Sequence, residues 1–302
     1  MSVMDHVADP ALAAFVAAAR ATPATPARTV GAGPVRRGQR ARAAVRPPGP
    51  ALAEVSDEPV AGVPVRIYRP AQSRATIVYA HGGMWVIGDL ESHDRACRLL
   101  AEATGATVIA VDYRRAPEHP WPAAVDDVVA VLQHAIAAGG TVCVMGDSAG
   151  GNLATLACLR LRDAGEPLPY AQILLYPNTD LTLSRPSTRT KATGWALDTD
   201  DVAWGAELWV PDPAMRTDPR VSPLYADLHG LPRAVVVTVE HDPLRDEGDE
   251  YADRLRAAGV PAVHRCEAGL VHGFLTMDLV SPACAKAAER VFADITALLA
   301  DA

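Results

Sequence analysis

From Val63 onward the chain alternates short apolar runs with longer segments of helical period, and that alternation sets the expected architecture. Apolar runs at Val63 to Tyr68, Thr76 to Tyr79, Thr107 to Val111, Thr141 to Met145, Gln172 to Tyr176, Ala234 to Val239 and Ala262 to Cys266 read as strands. Helical periodicity falls on Ala123 to Ala138, Gly151 to Arg162, Leu244 to Ala258 and Ala283 to Leu299. Such an order predicts an α/β fold, a mostly parallel sheet with helices on both faces.

Two stretches break the pattern. Ala11 to Arg20 reads as a short helix, and the Ala/Pro/Arg-rich tract after it, ending at Pro47-Pro48-Gly49-Pro50, reads as a connector. Between Pro177 and Pro232 a polar, proline-bearing insertion holds one helix, Asp200 to Val210, with Thr199 as its cap and two aspartates in its first turn. On it Trp204 and Leu208 share a face, with Trp195 just before. These tryptophans read as packing against the main domain, or alternatively as the roof of a substrate entrance, with Trp85 beside them.

Composition narrows the partners. Half the residues are apolar, enough for one large α/β domain with an accessory lid. A formal charge of -8 disfavours phosphate backbones and anionic lipid surfaces, so neither nucleic acid nor membrane is an expected partner. The local exception is a run of arginines at 20, 28, 36, 37, 40, 42 and 46, with no Asp or Glu between Asp9 and Glu54. It reads as a solvated arm, or as a docking segment that pairs with acidic surface elsewhere. Five cysteines without a C-x-x-C pair read as reduced core residues. The acidic N-terminus lacks the basic start of a secretory signal, and Ala11 to Ala19 is too short to span a bilayer, so a cytoplasmic protein is expected.

Candidate chemistry centres on Gly146-Asp147-Ser148-Ala149-Gly150, where a strand runs into a sharp turn and then a helix. A serine between two glycines at such a turn is pushed out above the sheet, because glycine tolerates close backbone approach and positive φ. Serine needs a base, itself oriented by a carboxylate. The strand ending at Val239 leads into Glu240-His241-Asp242-Pro243, and the last strand into Val271-His272-Gly273-Phe274. In a parallel sheet these loops emerge at one edge with Ser148, and the order Ser148, Asp242, His272 suits a nucleophile, acid and base. Asp246 and Glu240 are rival acids, Asp246 with the ordinary role of a first-turn carboxylate, and His241 is a rival base expected to point to the opposite face. His81-Gly82-Gly83-Met84-Trp85 follows a strand and offers backbone amides to a developing oxyanion, joined by the amide of Ala149 at a helix start.

Together, His81-Gly82-Gly83, Tyr113-Arg114-Arg115-Ala116-Pro117-Glu118-His119, the segment from Gly146 to Asn152, Asp242-Pro243-Leu244-Arg245-Asp246 and His272-Gly273-Phe274 resemble the hormone-sensitive-lipase-like branch of the α/β-hydrolases, the bacterial family IV carboxylesterases. The resemblance implies a catalytic triad of Ser148, Asp242 and His272 and an oxyanion hole from Gly82, Gly83, Met84 and Ala149. It also implies a helical cap formed by residues 1–50 and an insertion at about 178–219, over a catalytic domain spanning 51–302. Met84 stands where that family has a third glycine, and its amide remains usable if φ stays negative; Arg115 replaces a leucine. Glu118 and His119 read as a buried, hydrogen-bonded turn.

The expected reaction is cleavage of small carboxylic esters through an acyl-enzyme, with no metal or organic cofactor. Alternatives are an amidase, deacetylase or lactonase with the same triad, and a ligand-binding receptor on a hydrolase scaffold. The expected partner is a small ester substrate; a homodimer stays open.

Overall fold

The computed structural model describes residues 7–22 and 24–302. The elements, in chain order, are α1 (Pro10–Ala21), α2 (Ala27–Val30), α3 (Ala32–Ala44), β1 (Glu54–Val60), β2 (Val63–Arg69), β3 (Ala75–Ala80), α4 (Leu90–Thr104), β4 (Thr107–Val111), α5 (Ala123–Ala137), β5 (Thr141–Asp147), α6 (Ala149–Asp163), β6 (Ala171–Leu175), α7 (Ser187–Thr190), α8 (Thr199–Trp209), β7 (Arg233–His241), α9 (Arg245–Ala257), β8 (Ala262–Val271) and α10 (Pro282–Ala300). The strands form one sheet in the order β1-β2-β4-β3-β5-β6-β7-β8. From β4 to β8 all pairings are parallel; β2 alone runs against its neighbours on both sides.

Alternation along the strands divides the core in two. Val78 and Val144 face a layer that includes Val128 and Leu132 of α5, Leu156 of α6 and Leu255 of α9. Ile77, Tyr79, Cys143 and Met145 face the other side, with Leu100 of α4, Val291 and Ile295 of α10, and Leu12 and Val16 of α1. Period-two alternation requires this split, and both faces are apolar because helices cover both. The parallel register sends β5, β7 and β8 out at one edge, so the loops after Asp147, His241 and Val271 meet there.

The arginine tract departs from the connector expected of it. It folds as α2 and α3, although α3 contains two glycines and a proline and buries no residue. Side chains anchor it: Arg36 donates to the carbonyl of Val86 at 2.7 Å and pairs with Glu118 at 2.8 Å, and Arg40 pairs with Asp89 at 2.7 Å. Arg28 pairs with Glu207 of α8, and the Ala27 amide donates to Asp201 at 3.1 Å. The docking alternative therefore describes the arm, and the solvated reading is corrected. Likewise Glu118, 56 % exposed at its side chain, lies in no buried turn and serves Arg36 from the surface, and His119 is exposed. Helix α8 starts one residue earlier than expected, at Thr199, whose hydroxyl donates to the carbonyl of Thr188. Of the five cysteines four are buried, while Cys266 is exposed. No helix among the described residues is long and apolar enough to cross a membrane.

Candidate active site

Ser148 stands between β5 and α6 with φ of 56° and ψ of -122°. Positive φ thus falls on the serine itself, while the flanking glycines serve close approach. A Cβ on Gly146 would lie 2.2 Å from the backbone of Gly150, and one on Gly150 would lie 2.0 Å from the carbonyl oxygen of Ala80. Any side chain at either position would push the turn off the sheet top. This turn presents the hydroxyl to His272, whose Nε2 is 2.9 Å from Ser148 Oγ.

On its other side, His272 Nδ1 donates to Asp242 Oδ2 at 2.7 Å. Asp242 is fully buried, and its Oδ1 accepts the Leu244 amide at 2.8 Å, so both carboxylate oxygens are engaged. The rival groups lie elsewhere. Asp246 accepts the Ser187 amide and pairs with Arg245; Glu240 accepts the Gly269 amide. His241 is buried, with its ring stacked on Trp195 at 4.0 Å.

The glycine loop departs from expectation in two ways. The Gly82 amide already donates to Asp147 Oδ1 at 2.8 Å, so it does not face an oxyanion and is withdrawn from the donor set. Met84 has φ of 55°, Trp85 of 59° and Gly83 of 129°, so the methionine takes a left-handed backbone in place of the negative φ expected of it. Helix α8 allows this by contributing Gly205, where a Cβ would come within 2.6 Å of Met84 Cβ. The condition set on Met84 is therefore corrected: at positive φ its amide, like that of Gly83 and unlike that of Gly82, has no acceptor among the described residues and stays free to donate. The candidate donors are then the amides of Gly83, Met84 and Ala149, the last opening α6, where the helix dipole favours negative charge.

Asp147, for which the sequence predicts no role, anchors this loop. Its Oδ1 also accepts the Tyr79 hydroxyl at 2.6 Å, and His93 Nε2 lies 3.5 Å away. Burial would raise its pKa, yet His93, Tyr79 and the Gly82 amide together bring it below the ordinary carboxylate value. Position beside the nucleophile was the only signal for it. His81 is stacked on Tyr113 at 4.2 Å, and its Nδ1 donates to the Gly82 carbonyl at 2.9 Å. Burial, with His93 nearby, pushes its pKa down to about 3. Because the folded value lies below the unfolded one, the neutral ring's contribution is complete above pH 6.5 and is lost as pH falls towards 3. His81→Asn keeps a donor for Gly82; its urea-unfolding free energy should fall less steeply than wild type across that window, by up to ~1.4 kcal/mol per pH unit.

A cavity of about 570 Å³ opens over Ser148 and His272, lined also by Gly82, Gly83, Met84 and Ile87 and roofed by Val30, Pro34 and Val35 of the arm and Leu197 of the insertion. The tryptophans offered as pocket walls are absent from it. Trp85 is buried in a parallel stack with Trp209 at 4.4 Å and donates to Asn152; Trp195 is sandwiched between His241 and the Arg20 guanidinium; Trp204 lies in the core. Packing claims these large rings because their burial stabilises the junction more than wall duty would.

A base-paired serine at the head of a parallel sheet, facing a cavity, defines the serine hydrolases of α/β-hydrolase type. The family described as alpha/beta hydrolase fold matches residues 77–276. The chain is 42 % identical over 251 residues to the carboxylic ester hydrolase LipN of Mycobacterium tuberculosis, covering 76 % of this chain and 67 % of that protein. It is 42 % identical over 243 residues to the carboxylesterase NlhH of the same organism, covering 76 % of each. Among solved structures, an esterase from the bacterial hormone-sensitive lipase family superposes with a TM-score of 0.87 at 30 % identity, over 96 % of this chain and 99 % of that one. The chain belongs to the α/β hydrolases, in their hormone-sensitive-lipase-like branch, and is a carboxylic ester hydrolase. These relatives favour neither the amidase, deacetylase or lactonase alternative nor the receptor one.

Proposed function

We propose that Ser148, His272 and Asp242 carry out the ester hydrolysis and that Gly83, Met84 and Ala149 stabilise the oxyanion. Ser148 Oγ attacks the acyl carbon while its proton passes to His272 Nε2. Asp242 holds the imidazole and stabilises the imidazolium, and the amides take up the charge on the carbonyl oxygen. The C–O bond to the alcohol breaks as His272 returns the proton to the leaving oxygen. Water, deprotonated by the same ring, then releases the acid and restores Ser148.

What supports this reading above all is the single file of Asp242, His272 and Ser148, with separations of 2.7 and 2.9 Å, at the floor of the cavity. Its volume suits small esters. The arm and the insertion would act as the cap, because both contribute roof residues and are tied together through Arg28 and Glu207. A fluorophosphonate should add once per chain, at Ser148, and abolish p-nitrophenyl butyrate hydrolysis in step with labelling; an adduct elsewhere, or activity that survives full labelling, sinks the assignment. A cytoplasmic setting and a homodimer belong to the same proposal. Free cysteines support the first, and β8, a sheet edge with Val263 exposed, supports the second, which light scattering decides.

A further inference from the structure

The cavity over Ser148 continues past His272 into a second of about 360 Å³, and the two share Gln39, Arg42, His93 and His272 in their walls. The second is lined by two guanidiniums, Arg42 and Arg46, and by no carboxylate. On a chain of net charge -8 this is a local reversal of sign, and apolar walls from Phe15, Leu197 and Met277 strengthen the field there.

The neighbouring arginines of the arm are occupied. Arg36 and Arg40 hold Glu118 and Asp89, and Arg46 donates to the Thr276 carbonyl. Arg42 is exposed and forms no hydrogen bond or ion pair among the described residues. Burial lowers the Arg46 pKa against the pull of Asp278, and Arg95 and Arg42 lower it further, so an anion entering here would relieve the repulsion. The two acids of the larger cavity are engaged, Asp147 by Tyr79, Gly82 and His93, and Asp201 by the Ala27 amide.

Position assigns this charge to one half of the substrate. His272 must meet the departing oxygen, so the space flanking it on the side away from Ser148 and the glycine loop receives the alcohol part. We infer that the enzyme prefers esters whose alcohol part carries a carboxylate, acyl esters of hydroxy acids, with Arg42 and Arg46 binding that carboxylate beside His272. This rests on the ester-hydrolase reading above.

The probe pair is 4-acetoxybenzoate and its neutral methyl ester, each followed by phenol release. Wild type should show the higher kcat/KM on 4-acetoxybenzoate. The ratio of the two should fall about tenfold in Arg42→Gln, as expected for loss of one charge-assisted contact. Arg42→Glu should reverse the preference. Arg37→Gln, on the same helix but in neither cavity wall, should leave the ratio in place. A wild-type preference for the methyl ester, or a ratio that Arg42→Gln does not move, overturns the inference. Failure of wild type to cleave either ester would instead overturn the hydrolase reading.

Discussion

Ser148→Ala is expected to lower kcat on every ester by about a millionfold while leaving the fold in place, since single loss of the nucleophile in a serine triad removes nearly all of its contribution. Alanine keeps the same Cβ at φ of 56°, and Ser148 Oγ has His272 as its partner rather than a group that holds the turn together. The turn itself depends on Gly146 and Gly150, which the substitution does not touch. What survives should be a slow reaction from the amides and substrate binding alone, about a thousandfold or more above water. Steady-state kinetics beside a thermal melt reads both parts. Wild-type turnover in the variant would remove Ser148 from the chemistry; a lost melting transition would mean that the serine had been structural.

Most of this site was legible because strand ends in a parallel sheet converge whatever the side chains do. The runs ending at Met145, Val239 and the last strand sufficed to bring Ser148, Asp242 and His272 to one edge. Element α4 and strand β1 escaped notice for physical reasons. Residues Glu54–Val60 are charged on both faces because β1 is an edge strand paired only to β2, so no alternation marks it. Helix α4 carries its signal in a capping box between Asp89 and Ser92 and in Gly105, left-handed at its end, with apolar positions diluted by Arg95, Arg98 and Glu102.

Tertiary contacts decided the remainder. No helical period predicts α3, which is helical because Arg36, Gln39 and Arg40 bond across to the glycine loop and its neighbours. Gly82 reads as a donor to substrate, but Asp147 occupies it. Of the two readings given for the tryptophans the structure has packing, with Trp85 stacked on Trp209, Trp195 stacked on His241 and Trp204 buried in the core. In each case the residue type was right for a site, and a nearer partner claimed it.

The choice of Asp242 over Asp246 leads to the second large effect. Asp242→Asn should cost about ten-thousandfold in kcat with little change in KM. In the wild type Oδ1 accepts the Leu244 amide and Oδ2 accepts His272 Nδ1–H, so two donors converge on a carboxylate that has no proton to offer. An asparagine must turn its NH2 towards one of them. If it keeps its oxygen on Leu244, the imidazole faces a donor at Nδ1 and is driven to the tautomer with its proton on Nε2, where it can no longer accept the proton of Ser148. Turning the other way leaves the Leu244 amide unsatisfied in a fully buried turn, at a cost of about 1–3 kcal/mol in stability. Lost activity with a preserved melt therefore identifies the first arrangement, and partial activity with a lowered melt the second. Asp246→Asn, which touches Ser187 and Arg245 but not His272, should keep kcat within a few-fold. An Asp246 variant that matched the loss, beside an active Asp242→Asn, would transfer the role of orienting acid from one aspartate to the other.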